Sequence, residues 1–321
     1  MTFLQRLANA AAVKEVQELA PNFGHVFKDS AASKKAWLTR LRAGNSDRGN
    51  VDEGLNLQRY AERETKDVSE QSILSRFTIA EQAEITEKLY EADKAKDSSI
   101  EFARGGDPKR GYTKARKELH AKITREILTK EAIRQATPVK GQAPEFVVLG
   151  GRGGSGKGSF TNGTINEFDA KRFIKLDSDA IKEALNPPYE GWNAKAVHQE
   201  STELFDRISA QAKDMGLNVI HDVTLKTPGK IEGVIKEFRD KKYKVQGHYM
   251  FVPPEESARR GVQRYLGKAP NFKRGRLVPV SVLLAMQDNE KSFEQAKGLF
   301  DKWSVYDNQG RTPTLISRKG P

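Results

Sequence analysis

The sequence contains no cysteine among its 321 residues. Disulfide bonds, thiolate metal sites and a cysteine nucleophile are therefore excluded, and the composition fits a reducing compartment. No apolar run approaches the roughly 20 residues that a membrane-spanning helix needs. The first residues, MTFLQRLANAAAVKEVQ, lack the cleavage-site pattern of a secretory signal. These absences predict a cytoplasmic protein without membrane spans, or one delivered by a route that needs no such signal.

The sequence has fewer acidic than basic residues, with 43 Asp and Glu against 55 Lys and Arg, and its net charge is +12 at pH 7. The densest basic stretch runs from Ala103 to Arg125, and clustered cations of this kind bind nucleic-acid phosphates. On a helix, however, Ala115, Leu119, Ile123 and Ile127 would form one apolar stripe and leave most basic side chains in solvent. This favours a solvated helix face, with an acidic partner or DNA as the alternative.

Before about residue 140 the apolar spacing is helical. Thr78 and Glu81 have the spacing of a capping box, which predicts a helix from there to about Ala95. The stretch from Thr137 to Glu145 reads as a linker. We therefore divide the chain into a helical region at 1–140, whose role is regulation, docking or assembly, and a second domain at 141–321. A short amphipathic helix is also predicted from Phe3, Leu7 and Ala11.

After the linker, short apolar runs alternate with amphipathic helices. Helices are predicted over Glu203–Met215 and Val280–Trp303 from their shared apolar faces. This alternation predicts an α/β fold with a mostly parallel sheet covered by helices and preceded by an all-helical region. Ligands of such folds bind at the carboxyl ends of the strands. The apolar runs are FVVLG from Phe146, RFIKLD from Arg172, LNVIHD from Leu217, KVQGHYMFV from Lys244 and TPTLIS from Thr312.

The first of these strands leads into a glycine-rich loop with the GxxxxGK pattern of a P-loop. Glycines let successive amide groups surround phosphate oxygens, and the lysine reaches the β and γ phosphates. The following Ser or Thr of the common motif, a magnesium ligand, is here replaced by Gly158. Ser159 substitutes as the metal ligand only if the first helical turn shifts; otherwise water completes the shell. The predicted nucleotide-binding residues are Gly151, Gly153, Gly154, Ser155, Gly156, Lys157, Gly158 and Ser159.

Carboxylates follow the second and third strands. Asp177 and Asp179 come at the end of the second, where one of them either accepts the proton of an attacking hydroxyl or caps the next helix. Asp222, Thr224 and Lys226 alternate toward one side at the end of the third, which predicts a polar substrate or magnesium site, with capping as the alternative for Asp222.

A basic segment follows the fourth strand, from Arg259 to Arg276. Beside a P-loop such a segment is typical of a lid whose arginines stabilise the transferring phosphate. The alternative, a solvated basic helix, accounts for most of these residues, Arg259 and Lys268 included. His198 and His221 lack companions at metal-ligand spacing, so neither is predicted to bind a metal.

These motifs, taken in order, resemble the zeta-toxin family of P-loop kinases. The likeness covers Phe146 to Ser317, somewhat over half of the chain, and the order and spacing of its blocks make it specific. The helical region before residue 140 has no counterpart in the minimal toxin. The blocks are GRGGSGKG, LDSDAIKEALNPPY, HQESTELFDRI, GLNVIHDVTLKT, VPPEESARRGVQRY, GRLVP and WSVYDN.

The resemblance implies an ATP- or GTP-dependent phosphotransferase that uses Mg²⁺. Its acceptor would be a sugar or ribose hydroxyl of a nucleotide-type small molecule, such as UDP-N-acetylglucosamine or, as in a related effector kinase, NAD. It also implies a bacterial cytoplasmic setting in which an antitoxin covers the nucleotide site. Similar kinase domains occur in phage-encoded multidomain proteins, which adds a larger assembly or a virion as settings for the helical region.

The same resemblance assigns roles to individual residues. Lys157 matches the P-loop lysine and Asp179 the catalytic base. Arg264 and Arg276 match the two arginines that clamp the transferring phosphate. Asp222 stands where the family has a substrate-binding glutamate, and being one methylene shorter it suggests a different acceptor. Thr224 and Lys226 fall near the same substrate site.

Two other function classes stay open at the level of sequence. One is a phage-associated structural or nucleic-acid-binding protein with a non-catalytic kinase-like domain, which Gly158 and the basic stretch favour. Lys157, Asp179 and the two arginines oppose it, because a scaffold has no need of all four. The other is a polynucleotide 5′-kinase, which keeps the chemistry and changes the acceptor.

Overall fold

The structure of the chain is a computed structural model, which describes residues 54–65, 67–163, 165, 169–268, 275–286, 288–310 and 312–320. The predicted helix at Phe3, Leu7 and Ala11 lies outside these residues. In the described part of the chain, no helix has both the length and the apolar character to cross a membrane.

A six-stranded sheet with the strand order β2-β3-β1-β4-β5-β6 forms the centre of the described chain. The first five strands run parallel and β6 pairs antiparallel with β5. The predicted mostly parallel sheet is thus confirmed, and β1 to β4 and β6 lie where the apolar runs predict them. The strands are β1 (Glu145–Gly150), β2 (Ile174–Asp177), β3 (Val219–Val223), β4 (Lys244–Phe251), β5 (Lys302–Asp307) and β6 (Thr314–Lys319).

Helices surround this sheet, and the alternation along β1 shows why both faces need cover. Phe146 and Val148 belong to one hydrophobic core, whereas Val147 and Leu149 belong to another. Successive side chains of a strand point to opposite faces, so a strand that is apolar throughout is buried on both sides. The helices are α1 (Leu57–Glu64), α2 (Glu70–Leu74), α3 (Ile79–Lys94), α4 (Ser98–Glu101), α5 (Lys114–Ile127), α6 (Lys130–Ala136), α7 (Gly158–Thr161), α8 (Ser178–Ala184), α9 (His198–Asp214), α10 (Lys230–Asp240), α11 (Pro254–Tyr265), α12 (Val280–Leu284) and α13 (Asp288–Ala296).

The capping box predicted at the start of α3 is present. The Thr78 hydroxyl accepts from the Glu81 amide at 3.3 Å, and the Glu81 carboxylate accepts from the Thr78 amide at 2.8 Å. The helix ends at Lys94, one residue before the predicted end.

The long helix predicted over Val280–Trp303 is wrong. The segment contains α12, α13 and a 3₁₀ turn, and then β5 from Lys302 to Asp307. Trp303, Val305 and Tyr306 of this strand are aromatic or β-branched, which suits a pleated strand. The Asp301 carboxylate accepts from the amide of Val245 on β4 at 2.7 Å. The helical spacing of Phe293, Ala296, Phe300 and Trp303 therefore reflects a common core and not one continuous helix.

The helices before residue 140 share hydrophobic cores with the rest of the chain. Leu57 and Ile123 belong to the core beneath β1 and β3. Ile73 and Ile85 pack in a second core with Val262 of α11 and its neighbours. The described helical region is therefore fastened to the sheet-containing part, while the domain boundary at residue 140 stays a prediction.

A buried ion cluster on α5 and α9 also joins the helical region to the sheet-containing part. Arg116 and His120 of α5 contact the Glu200 carboxylate at 2.6 and 2.5 Å, and Ser98 donates to it at 2.5 Å. Burial alone would raise the pKa of Glu200, but hydrogen bonds from His120, Arg116 and Ser98 lower it to about 2. Of the predicted stripe, Leu119, Ile123 and Ile127 pack in or against the core, whereas Ala115 is exposed and its neighbour Arg116 is buried in the ion cluster.

Candidate active site

The glycine-rich loop connects β1 to α7 at the carboxyl end of the sheet, as predicted. Gly156 has φ +83°, a left-handed conformation that side chains rarely adopt. A Cβ on Gly156 would lie 2.1 Å from Nδ2 of Asn308. That amide donates to the Ser155 carbonyl at 2.8 Å, so the residue after β5 braces the loop. Asn308 was not among the predicted site residues, although it belongs to the block WSVYDN.

The loop is also anchored from behind by an ion pair that the sequence analysis missed. Arg152 is only 2% exposed and contacts Glu290 of α13 at 2.8 Å, and it donates to the Met286 carbonyl. The Tyr249 hydroxyl donates to Glu290 at 2.8 Å. Burial raises the pKa of Glu290 more than the Arg152 charge lowers it. The Arg152 guanidinium is therefore committed to holding the loop.

Lys157 is the last residue of the glycine-rich loop, and its side chain points back into that loop. Its Nζ donates to the carbonyls of Gly151 at 2.7 Å and Arg152 at 3.1 Å, and it lies 3.7 Å from Oδ1 of Asp222. Among the described residues, the amides of Gly154, Gly156, Lys157 and Gly158 have no hydrogen-bond acceptor. A lysine and several unpaired amides at a helix start form an arrangement that binds phosphate.

Asp222, the penultimate residue of β3, lies between two lysines. Besides Lys157, the Nζ of Lys175 on β2 lies 3.5 Å from its carboxylate. Burial and the nearby Asp177 raise the pKa of Asp222, and the two lysines lower it less. The carboxylate is a partner of the P-loop lysine and not a helix cap.

Thr224 and Lys226 do not continue the predicted alternation. The strand ends at Val223, and Leu225 has φ +59°, which turns the chain out of the sheet. The Thr224 carbonyl accepts from the Asn289 side chain, and Lys226 is exposed. Both still line the same cleft as Asp222.

The structure separates the roles of the two aspartates after β2. Asp177 is the N-cap of α8, and its carboxylate accepts from the Asp179 amide at 2.9 Å. Asp179 lies in the first turn and contacts Nη1 of Arg276 at 2.6 Å and Nζ of Lys182 at 3.3 Å. Burial raises the pKa of Asp179, but the charges of Arg276, Lys182 and Arg264 outweigh it, so the pKa is lowered. The carboxylate is therefore ionised at neutral pH.

Arg264 and Arg276 converge on this carboxylate from the basic segment. Arg264 lies in the last turn of α11, and its side chain passes so close to Gly275 that a Cβ on Gly275 would lie 2.8 Å from Cγ of Arg264. The Nε groups of Arg264 and Arg276 are buried without a hydrogen-bond partner among the described residues. Arg259, in contrast, pairs with Glu256 at 2.6 Å, and Lys268 pairs with Glu81.

One cleft brings the predicted residues together. It is lined by the loop from Gly153 to Ser159 together with the site residues Asp177, Asp179, Asp222, Thr224, Lys226, Arg264 and Arg276. Gly151 does not line it. The helical region contributes to its wall through Leu89, Asp93 and Asp97, a contribution that no motif signalled. Lys182 also lines the cleft and was not predicted as a site residue. Its spacing of three residues from Asp179 is the sequence feature that could have indicated it.

The residues near the loop fit a magnesium ion held mainly by phosphates and water. In the described residues, no group of three or more His, Cys, Asp or Glu could hold a metal ion, but Mg²⁺ usually binds only one or two carboxylates beside phosphate oxygens. Ser159 lies in the first turn of α7, 3.9 Å from the Cβ position of Gly156. The buried Ser155 hydroxyl has no hydrogen-bond partner in the described structure. A Cβ on Gly158 would meet no atom within 4 Å.

The two histidines that were not predicted as ligands have different surroundings. His221 is buried, and its Nε2 lies 2.8 Å from the Ser209 hydroxyl. Burial and the charges of Lys213 and Lys230 lower its pKa to about 3. His198 is exposed and lines the cleft.

Comparison with protein families gives a match to the zeta toxin family over residues 130–319. A search of curated proteins gave no match.

Solved structures with a similar fold include a chain of the complex of AvrRxo1-ORF1 and ORF2 with ATP. Its TM-score is 0.55 at 16% identity, covering 70% of this chain and 76% of that one. The same complex with sulphate ions gives 0.54 with the same identity and coverage. A chain from the PezAT chromosomal toxin–antitoxin system of Streptococcus pneumoniae gives 0.46 at 16% identity, covering 64% and 82%. The first two likenesses show a common fold.

Proposed function

Because the chain belongs to the zeta toxin family, we propose that it is an ATP- or GTP-dependent kinase. Its acceptor is a sugar or ribose hydroxyl of a nucleotide-type small molecule, of the class of UDP-N-acetylglucosamine or NAD. The observation that carries the proposal is the meeting of a P-loop lysine, a carboxylate and two arginines in one cleft. A scaffold would gain nothing from this combination, because burying so many charges costs free energy.

The loop and Lys157 bind the triphosphate. The unpaired amides of the loop donate to the β-phosphate, and the Lys157 ammonium exchanges its two carbonyl partners for phosphate oxygens. Asp222 keeps the lysine beside the loop at 3.7 Å. The nearby Ser159 and Asp222 would hold a phosphate-bound Mg²⁺, which when present neutralises charge on the phosphates.

Asp179 acts as the general base. It takes the proton of the acceptor hydroxyl while the acceptor oxygen forms a bond to the γ-phosphorus. The bond from that phosphorus to the β–γ bridging oxygen breaks, and its electron pair stays on the nucleoside diphosphate. The lowered pKa of Asp179 keeps the carboxylate ionised and ready to accept the proton.

Arg264 and Arg276 stabilise the charge on the transferring phosphoryl group. Their Nε–H groups are buried and unpartnered in the described structure, and such donors lower the free energy when an anion reaches them. Preorganised donors of this kind act where charge develops in the transition state.

The partner and setting follow the family. The solved complex of AvrRxo1-ORF1 and ORF2 supports a partner protein that restrains the kinase, and an antitoxin or a larger assembly bound through the helical region would do so here. The setting is the bacterial cytoplasm. The helical region before residue 140 also helps to bind the acceptor molecule, since its residues form part of the cleft wall.

The test is mass spectrometry of UDP-N-acetylglucosamine, NAD and a short oligonucleotide after incubation with the protein, Mg²⁺ and ATP or GTP. We expect a mass gain of one phosphoryl group on a nucleotide-type small molecule, and no gain with Lys157→Ala. A gain on the oligonucleotide alone would change the acceptor class to polynucleotide ends. No gain on any acceptor, together with no detectable nucleotide binding, would contradict the kinase and favour the structural class of function.

A further inference from the structure

Lys182 is a buried cation in the cleft to which none of the roles above applies. It lies on α8 three residues after Asp179, so both side chains emerge on one face of the helix. Only 3% of Lys182 is exposed, and its Nζ lies 3.3 Å from Oδ1 of Asp179. Burying an ammonium group costs free energy unless it is paired, so its position beside the proposed base has a physical cause.

Two cations contact the same oxygen of Asp179. Nη1 of Arg276 lies 2.6 Å from Oδ1, and Nζ of Lys182 contacts that oxygen as well. Among the described residues, no hydrogen bond reaches Oδ2 of Asp179. Oδ2 is thus left to accept a hydrogen bond from a ligand.

We propose that Lys182 is a positioning residue that holds Oδ1 of Asp179 together with Arg276 and so directs Oδ2 at the acceptor hydroxyl. This inference rests on the proposed kinase function and goes beyond it by naming the side chain that orients the base. In this role Lys182 acts on the acceptor through Asp179, the side chain that it contacts.

The ion pair between Lys182 and Asp179 belongs to a larger group of charges. Lys182, Arg276 and Arg264 all act on the Asp179 carboxylate and lower its pKa. Other ionisable groups face the cluster from α8, from the loop after it and from α9. They are Asp177, Glu183, Tyr189 and His198.

The consequence is a pH profile that a structural lysine would not produce. The Lys182 charge favours the ionised form of Asp179, so removing it raises the pKa of that carboxyl group. The acid limb of kcat/KM then moves to higher pH, because the free enzyme needs the ionised base.

The experiment compares Lys182→Met and Lys182→Arg with the wild type, using the acceptor that the mass measurement identifies. We expect Lys182→Met to lower kcat about 100-fold, the effect of a misplaced catalytic group, and to shift the acid limb upward with nucleotide affinity unchanged. Lys182→Arg keeps the positive charge and should retain most of the wild-type kcat and the wild-type position of the acid limb. Lys122→Met is the matched control, because Lys122 is an exposed lysine on α5 paired with Glu126.

The outcomes separate this inference from the kinase itself. A wild type that phosphorylates no acceptor overturns both. An active wild type beside an equally active Lys182→Met, or a slowed variant with an unshifted acid limb, overturns only the role of Lys182. If Lys182→Met does not fold, Lys182→Gln replaces it, and ¹³C NMR titration of Asp179 in that variant gives the same answer without turnover. An unchanged carboxyl pKa there overturns the inference.

Discussion

Two buried charge clusters lie on either side of the P-loop, and they differ in how fully their charges are paired. Behind the loop, one guanidinium meets one carboxylate, and Arg152 and Tyr249 both bond to Glu290. In front, three cations act on the Asp179 carboxylate, and the carboxylates of Asp177 and Glu183 lie nearby. Two buried Nε groups there have no partner in the described structure.

The difference separates structure from function. A balanced, bonded pair holds a backbone segment in place, and losing one partner leaves an uncompensated buried charge. A cluster with buried, unpaired donors is costly by itself and is stabilised when an anion binds. The rear cluster should therefore control stability and the front cluster turnover.

The largest effect should come from the front cluster. Arg276→Met removes one of the two arginines that face the transferring phosphate, and we expect turnover to fall by about 10³- to 10⁵-fold with little change in melting temperature. Steady-state kinetics and thermal unfolding of the same samples check this. The control is Arg134→Met, since Arg134 is an exposed residue of α6 paired with Glu131. A variant that loses stability in proportion to activity would contradict the division of roles.

The rear cluster should show the opposite behaviour. Arg152→Met leaves Glu290 buried without its cation, and the free energy of unfolding should fall by about 3–5 kcal/mol. Denaturant unfolding measures it. The double variant Arg152→Met and Glu290→Gln removes both charges and should recover part of the lost free energy of unfolding. A double variant as unstable as Arg152→Met alone would mean that the unpaired Glu290 charge does not cause the loss.

A third test concerns the sheet beneath both clusters. Burial lowers the pKa of His221 and of His248 to about 3 each, whereas an unfolded histidine has a pKa near 6.5. Below that pH the two histidines of the unfolded chain bind protons, whereas those of the folded chain stay neutral until about pH 3. The free energy of unfolding should therefore fall as the pH drops from about 6.5 toward 3. Urea unfolding of wild type and His221→Leu checks this, since the variant should show a shallower slope. An equal slope would exclude His221 as a source.

The smallest effect should come from Gly158, at the front of the loop. Gly158→Ser introduces a hydroxyl where a Cβ meets no atom within 4 Å, so stability should change by less than about 0.5 kcal/mol. If the hydroxyl becomes a magnesium ligand of hydrogen-bond strength, about 1 kcal/mol, turnover at limiting Mg²⁺ rises roughly fivefold. Gly158→Ala is the matched control without the oxygen. An equal rise in both variants would assign the gain to helix formation.

The strands were predictable because a doubly covered sheet requires continuous apolar runs, as in β1. The capping box of α3 was predictable because it depends on two residues three apart. The segment after Val280 was not, since its apolar residues follow a helical spacing while lying on two helices and a strand. The pairing of β5 with β4 and the contact between Asp301 and the Val245 amide distinguish these.

The site was predictable where a motif fixes a residue to an element end, as for Lys157 and Asp179. The sequence did not reveal the partners that come from distant positions. Glu290 lies 138 residues from Arg152, and Asn308 lies 153 residues from Ser155. Pairings over such separations depend on the order of strands in the sheet, which local spacing does not encode.

The most direct test of the account measures phosphate transfer and nucleotide affinity together in Asp179→Asn and wild type. The account predicts that the variant binds ATP or GTP nearly as tightly as wild type and transfers phosphate about 10²- to 10⁴-fold more slowly, the range for a lost general base. Transfer at the wild-type rate by Asp179→Asn would contradict the proposed base, and with it the cluster of cations as an active site.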